Sequence, residues 1–360
     1  MATSVTVYSA INDEDVRRAV DRAKDAVAAY NVASAPEIPQ PARFELPPNK
    51  SLIGLDPSVY RQIEDAVNAD KRHIMLYGPP GTGKTELARY IALRLGTKPY
   101  VLVTGSADWS SQDLIGGYQP LGEGKIGFVP GIMLKNFDRP FIIDEMNRCD
   151  IDKVLGPLFT VLSRGSTTLP YRINVADQDS AQYQILGMYQ ADADATIFSP
   201  EPEWRIIATI NTVDKSSLYQ MSYALSRRFA WIFIDAPADL EGFIRAYVAM
   251  LGEDMTTDES PCALAQVWHA VNTVRRLGAA PFIDVIQHAL ASDEAFDFGV
   301  APSAEMAVTY LDAFRVHVMP MLDGTLKDEL QSVADTVVSV LGVTGTDADA
   351  LRRQMVTIGL

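Results

Sequence analysis

The chain has 360 residues, 48% apolar and 21% charged, a globular balance with room for two or three domains and far from that of a disordered chain. Its 31 basic residues stand against 46 acidic ones, a formal net charge of −15, so the molecule as a whole repels a phosphate backbone and any nucleic-acid contact has to come from a local basic patch. No run of eighteen or more apolar residues occurs, residues 1–10 lack a basic stretch followed by an apolar core, and the two cysteines, Cys149 and Cys262, form neither a disulfide framework nor a CxxC zinc pair; a cytoplasmic protein with reduced, buried thiols is expected, with no membrane span.

Taken in chain order, residues 12–31 carry Val16, Val20, Ala23, Val27 and Tyr30 at three- and four-residue spacing behind the N-cap Asn12, which predicts an amphipathic helical appendage over residues 1–34. Pro36, Pro39, Pro41, Pro47 and Pro48 then make residues 35–50 an extended linker. From Ser51 short apolar runs alternate with helical stretches. Strands are predicted at 73–77, 100–104, 140–144, 205–211 and 230–235, and helices at 57–68, 84–95, 152–162 and 217–225. Such alternation marks a parallel sheet covered by helices, an α/β domain over 51–236. After Pro237 helical periodicity dominates, as in 263–277, 303–318 and 326–341, so 237–360 is expected to be a helical domain; from Ala236 onward 7 basic and 18 acidic residues give it a net charge of −11, read as a solvated acidic surface. Two stretches interrupt the alternation: a Gly-rich β-hairpin is predicted at Tyr118–Gly131, and an inserted ribbon with an exposed tip at Thr167–Glu203.

Gly78-Pro79-Pro80-Gly81-Thr82-Gly83-Lys84-Thr85 satisfies G-x-x-x-x-G-K-[ST] between an apolar strand and a helix. In such a loop backbone N–H groups and the helix N-terminus cradle phosphate, Lys84 reaches the β/γ oxygens, and the Thr85 hydroxyl binds Mg²⁺. Phe141-Ile142-Ile143 followed by Asp144-Glu145 puts two carboxylates at the C-terminal end of a buried strand, where open α/β sheets bind ligands. Asp144 is expected to hold the Mg²⁺ shell and Glu145 to polarise the attacking water. Ile206–Asn211 is another apolar strand, whose terminal amide would help place that water. Arg227 and Arg228 close a helix, where they complement its dipole or reach a nucleotide in a neighbouring subunit.

This order of motifs resembles the AAA+ ATPases over residues 51–236. Ile143–Arg148 looks like the DEINR-type Walker B segment of the MoxR, dynein-related and McrB branch, and Trp204–Thr212 with Ala224–Phe229 looks most like the McrB group. The hairpin falls where this branch carries its helix-2 insert. The resemblance implies an α/β P-loop core with a parallel five-stranded sheet and an α-helical lid. It implies phosphate binding by Gly78, Pro79, Gly81, Thr82, Gly83, Lys84 and Thr85, metal binding by Thr85 and Asp144, and catalysis by Glu145. Sensor 1 becomes Asn211 and the arginine finger Arg227 or Arg228; Asn147 and Arg148 become candidates for the subunit interface. Where MoxR proteins carry a sensor 2 arginine, Ser303 stands here. ATP or GTP with Mg²⁺ is expected, in a hexameric ring, with a protein effector or substrate and no direct sequence-specific nucleic-acid binding. Three functions fit this pattern: an NTPase motor driving an effector such as a nuclease in a McrBC-like defence system, a MoxR-like chaperone or assembly factor, and a non-hydrolysing nucleotide-binding scaffold.

Overall fold

The structure, a computed structural model, describes residues 43–212, 221–256 and 262–360. The predicted helix within 12–31 and the first half of the Pro-rich linker lie outside the described residues, as does the first part of the predicted 217–225 helix. Glu45–Leu360 forms one compact unit.

Its centre is a sheet of β1 (His73–Gly78), β2 (Val101–Thr104), β5 (Phe141–Asp144), β9 (Ile206–Asn211) and β10 (Phe229–Phe233), in the spatial order β10-β1-β9-β5-β2. All four pairings are parallel. β1, β5 and β9 are near-continuous apolar runs because both of their faces are covered. The register sets Gly78 beside Asn211, and Asp144 ends the neighbouring β5. The phosphate loop, the acidic pair and the strand-end amide therefore meet at one edge of the sheet, as expected.

Helix α1 (Pro57–Asn68) starts at Asp56, whose side chain accepts from Ser58 N at 2.7 Å, with Pro57 in the first turn. Helix α2 (Lys84–Leu95) follows the phosphate loop and buries Leu87, Ala88, Ile91 and Ala92. After α3 (Ser111–Leu114) comes the predicted hairpin, β3 (Gly116–Gly122) paired antiparallel with β4 (Lys125–Pro130). The predicted 152–162 helix is shorter than expected. Regular α4 covers Ile151–Leu155, and Gly156-Pro157 turns the chain into short 3₁₀ segments at 156–158 and 161–163. The 167–203 insertion is more than a ribbon: β6 (Thr167–Arg172), β7 (Gln182–Ile185) and β8 (Ile197–Phe198) form a three-stranded sheet. α5 (Tyr223–Ser226) is a single turn.

The described residues beyond β10 are helical: α6 (Leu240–Met250), α7 (Ala263–Val274), α8 (Ala280–Ser292), α9 (Ala304–Ala313), α10 (Lys327–Leu341) and α11 (Thr346–Ile358). α9 runs on into a π-helical turn, Phe314–Val318. These helices share a core in which Trp268 stacks on Phe282 with ring centroids 4.4 Å apart. Cys149 and Cys262 are both buried and unpaired, and burial pushes the Cys149 thiol up to about 11.

Candidate nucleotide site

The phosphate loop takes its shape from close backbone approaches. Gly78 has φ +154°, and a Cβ there would lie 2.0 Å from the Ile234 carbonyl oxygen, so no side chain fits. On the lid side Gly278 packs against the loop backbone, where a Cβ would lie 2.3 Å from the Gly81 carbonyl carbon. Gly278 N donates to Pro80 O at 2.8 Å, and Ala280 N donates to Gly81 O at 3.0 Å. The N-terminus of α8 is thus fastened to the loop by main-chain hydrogen bonds, which no side-chain motif announces.

Lys84 is 5% exposed, and its ammonium donates to Gly78 O at 3.2 Å, Pro79 O at 2.5 Å and Thr82 Oγ1 at 3.3 Å. A buried cation is tolerated only when its donors are satisfied, and the loop satisfies them. Thr82 Oγ1 in turn donates to Pro79 O at 3.1 Å. Across the sheet edge, Thr85 Oγ1 donates to Asp144 Oδ1 at 2.7 Å, and Thr209 Oγ1 donates to the same oxygen at 2.6 Å. A hard divalent cation prefers such a set of hydroxyl and carboxylate oxygens, so Thr85 and Asp144 fit Mg²⁺. Thr209 also accepts from Glu145 N at 2.9 Å, joining the two acidic residues to β9.

Glu145 has φ +51°, a left-handed conformation uncommon outside glycine, which turns its side chain away from the line of β5. Its carboxylate is held on both oxygens: Asn211 Nδ2 donates to Oε1 at 3.1 Å, and Arg148 Nε pairs with Oε2. Asn147 Nδ2 donates to Asn211 O at 3.4 Å, so within the subunit Asn147 ties to the end of β9 and Arg148 to Glu145. Lys84, Thr85, Asp144, Glu145 and Asn211 therefore converge as expected. Thr209 was not anticipated, although it lies two residues before Asn211 and strand alternation puts both on one face.

The two arginines after α5 separate. Arg228 Nε donates to Phe159 O at 2.8 Å, its Nη1 donates to Ala224 O, and the guanidinium lies 5.3 Å from the centre of the Phe159 ring. Arg227 is exposed, and its side chain has no hydrogen-bond or ion-pair partner among the described residues.

A cavity of about 260 Å³ opens beside the loop between Ile53, Leu55, Gly83, Phe243, Tyr247 and Ile283. It is apolar enough to take a flat heterocycle next to the phosphate cradle. Asp235 lies at its rim in a bidentate pair with Arg276, Nε to Oδ1 at 2.9 Å and Nη2 to Oδ2 at 2.8 Å. Burial works against the Asp235 charge, and the Arg276 guanidinium with the Ala236 N–H outweighs it, holding the carboxyl below its usual range. Ser303, at the position where a lid arginine was sought, instead caps α9 by accepting from Met306 N at 3.2 Å.

Residues 73–229 match the model of the AAA domain, dynein-related subfamily. The chain is 32% identical over 185 residues to the type IV methyl-directed restriction enzyme EcoKMcrB subunit of Escherichia coli (strain K12), covering 48% of this chain and 37% of that protein. It is 26% identical to protein MoxR of Methylorubrum extorquens over 71% of this chain and 65% of that one, so it spans less than two thirds of either relative. Among solved structures, the Holliday junction branch migration motor RuvB of Thermotoga maritima aligns over 82% of this chain and 84% of its own, at 16% identity and a TM-score of 0.44. Residues 73–229 thus carry the likeness to the dynein-related AAA domain, and the similarity to the McrB subunit and to MoxR is consistent with the McrB/MoxR-like branch of the AAA+ proteins.

Proposed function

We propose that this protein is an oligomeric nucleoside triphosphatase that binds Mg²⁺ with ATP or GTP at the phosphate loop and couples hydrolysis to work on a partner protein. The observation that carries this is the convergence of Lys84, Thr85, Asp144, Glu145 and Asn211 on one sheet edge, with an apolar cavity beside it. Lys84 would exchange some of its loop carbonyls for β- and γ-phosphate oxygens. Thr85 and Asp144 would hold Mg²⁺, which neutralises charge developing on those oxygens. Glu145 would accept a proton from the attacking water, with Asn211 orienting both. Arg227, whose side chain has no hydrogen-bond or ion-pair partner among the described residues, would act in trans on the nucleotide of a neighbour in a ring, most simply a hexamer.

Likeness to a restriction-enzyme subunit favours an effector such as a nuclease as the partner, in a McrBC-like system. The alignment with MoxR, which covers more of the chain, supports the second reading, a chaperone or assembly factor acting on protein alone. A non-hydrolysing scaffold has no use for an acidic residue and an amide held in register at the loop. The test is hydrolysis of ATP and GTP by the purified chain and two variants. Lys84→Ala should abolish nucleotide binding, whereas Glu145→Gln should bind normally and not turn over. Equal loss of affinity in both variants would overturn the division of labour.

A further inference from the structure

α5 is a single turn, and so short a helix has no stability of its own in water. The direction of Arg227, which follows it directly, is therefore decided by whatever grips the ends of α5. At the N-terminal end, Asp152 takes Ser222 with both carboxylate oxygens: Ser222 N donates to Oδ2 at 2.6 Å, and Ser222 Oγ donates to Oδ1. Ser222 Oγ then caps the turn by accepting from Leu225 N at 3.2 Å, and Leu225 is fully buried. At the other end, Arg228 is held by the Phe159 carbonyl and ring. Both grips come from residues 152–159. That stretch begins in α4, whose Ile151, Val154 and Leu155 are buried, and it starts four residues after the Glu145–Arg148 turn.

We propose that Asp152 is a positioning residue for the trans-acting arginine, fixing Arg227 through its two-point hold on Ser222. A carboxylate accepting two hydrogen bonds from one residue fixes rotation as well as distance, and its charge makes both bonds stronger than neutral ones. The inference rests on the proposed role of Arg227. It adds that the segment following a subunit's own acidic pair sets the cation that the subunit presents to its neighbour. An acid in the first turn of α4 also complements that helix's dipole, a role confined to its own subunit. The two roles differ in which nucleotide site suffers when Asp152 is lost.

The experiment measures nucleotide affinity and hydrolysis of the full chain carrying Asp152→Ala, alone and mixed with Lys84→Ala subunits, with Arg227→Ala as reference. Asp152→Ala alone should bind nucleotide within about twofold of the parent and hydrolyse it on the order of 10²-fold more slowly, the cost of misplacing a catalytic group by roughly 1 Å. In the mixture hydrolysis should recover, because the Lys84→Ala subunit brings an intact Asp152–Ser222–Arg227 unit to the intact loop of its neighbour. The double variant Asp152→Ala/Arg227→Ala should be no slower than Arg227→Ala alone. Should Asp152→Ala fail to fold, Asp152→Leu carries the same expectation, since it fills the space and can accept neither hydrogen bond from Ser222. Recovery by Arg227→Ala without recovery by the Asp152 variant overturns the inference and assigns Asp152 to its own site. Absence of recovery by Arg227→Ala, in samples shown to exchange subunits, overturns the trans role and the inference with it.

Discussion

Arg228 is folded back on Phe159, with Nε 2.8 Å from the carbonyl oxygen and the guanidinium 5.3 Å from the ring centre, while Arg227 beside it points to solvent. Adjacent residues of one type thus have different surroundings, and substitution should separate them. Arg227→Ala should lower turnover on the order of 10³-fold with nucleotide affinity and stability unchanged. Arg228→Ala should lower stability by about 2–3 kcal/mol, from two lost hydrogen bonds to carbonyls and one cation–π contact, and slow turnover less. Chemical denaturation and steady-state hydrolysis on both variants check this, with ring size followed by sedimentation. A larger turnover defect in Arg228→Ala would reverse the assignment.

Thr209 joins Asp144 and Glu145 to one strand, giving its hydroxyl hydrogen to Asp144 at 2.6 Å and accepting from Glu145 N at 2.9 Å. Thr209→Val removes the hydroxyl at nearly constant volume. The variant should fold, retain the sheet, and lose about 10–100-fold in Mg²⁺-dependent turnover, as do other groups that orient metal-binding carboxylates. Titrating activity against Mg²⁺ should show the half-saturating concentration rising. An unchanged Mg²⁺ profile would make Thr209 a packing residue only.

The buried His73 makes stability depend on pH. Its Nδ1 accepts from Ile206 N at 3.0 Å, and its Nε2 is buried without a hydrogen-bond partner among the described residues, beside Trp204 and Phe229. Burial first, and then the charges of Arg72, Arg205 and Arg164, push its pKa down from 6.5 to about 3. Between those values the unfolded chain takes up a proton that the folded chain refuses, so falling pH favours unfolding. From pH 6.5 to pH 5 this group should remove about 2 kcal/mol of stability. His73→Gln keeps an acceptor for Ile206 N, and its denaturation midpoints should fall less steeply over that window. An identical slope in both proteins would place the titrating group elsewhere.

What could be read in advance follows from how locally each feature is encoded. Gly78–Thr85 is contiguous, and Phe141–Glu145 is an apolar run with two acids at its end, so the loop and the strand end were legible as elements. Asn211 was legible for the same reason. Thr209 hid as an ordinary β-former in an apolar strand, and its role appears only when β9 lies beside β5. The lid's hold on the loop is made by main-chain N–H groups of Gly278 and Ala280, which have no side-chain signature. Choosing between Arg227 and Arg228 needed Phe159, nearly seventy residues away. The predicted 152–162 helix ran past Gly156-Pro157, where the missing amide stops it, and the two-residue β8 is too short to give a period.

The hairpin at β3–β4 gives the last test, because its two halves differ. Its base is anchored: Phe128 stacks on Tyr171 with centroids 4.8 Å apart and packs on Tyr183 at the same distance, and Arg172 N donates to Tyr118 Oη at 2.5 Å. The three-stranded sheet of the 167–203 insertion is therefore the support that a two-stranded hairpin needs. Its tip is not anchored, with Leu121 60% and Ile126 56% exposed. Phe128→Ala should lower stability by about 2–3 kcal/mol, a partly buried aromatic with several ring contacts being lost. If the tip serves a partner within the proposed oligomeric function, replacing Leu121–Lys125 by a short Gly-Ser turn should leave stability, oligomer size and basal hydrolysis unchanged, since the tip is then dispensable for assembly. Denaturation, sedimentation and hydrolysis of the two variants decide the matter. A ring that dissociates when only the tip is replaced would make Leu121 and Ile126 part of the subunit interface, and the partner-facing surface would then have to be sought on the insertion or the acidic lid.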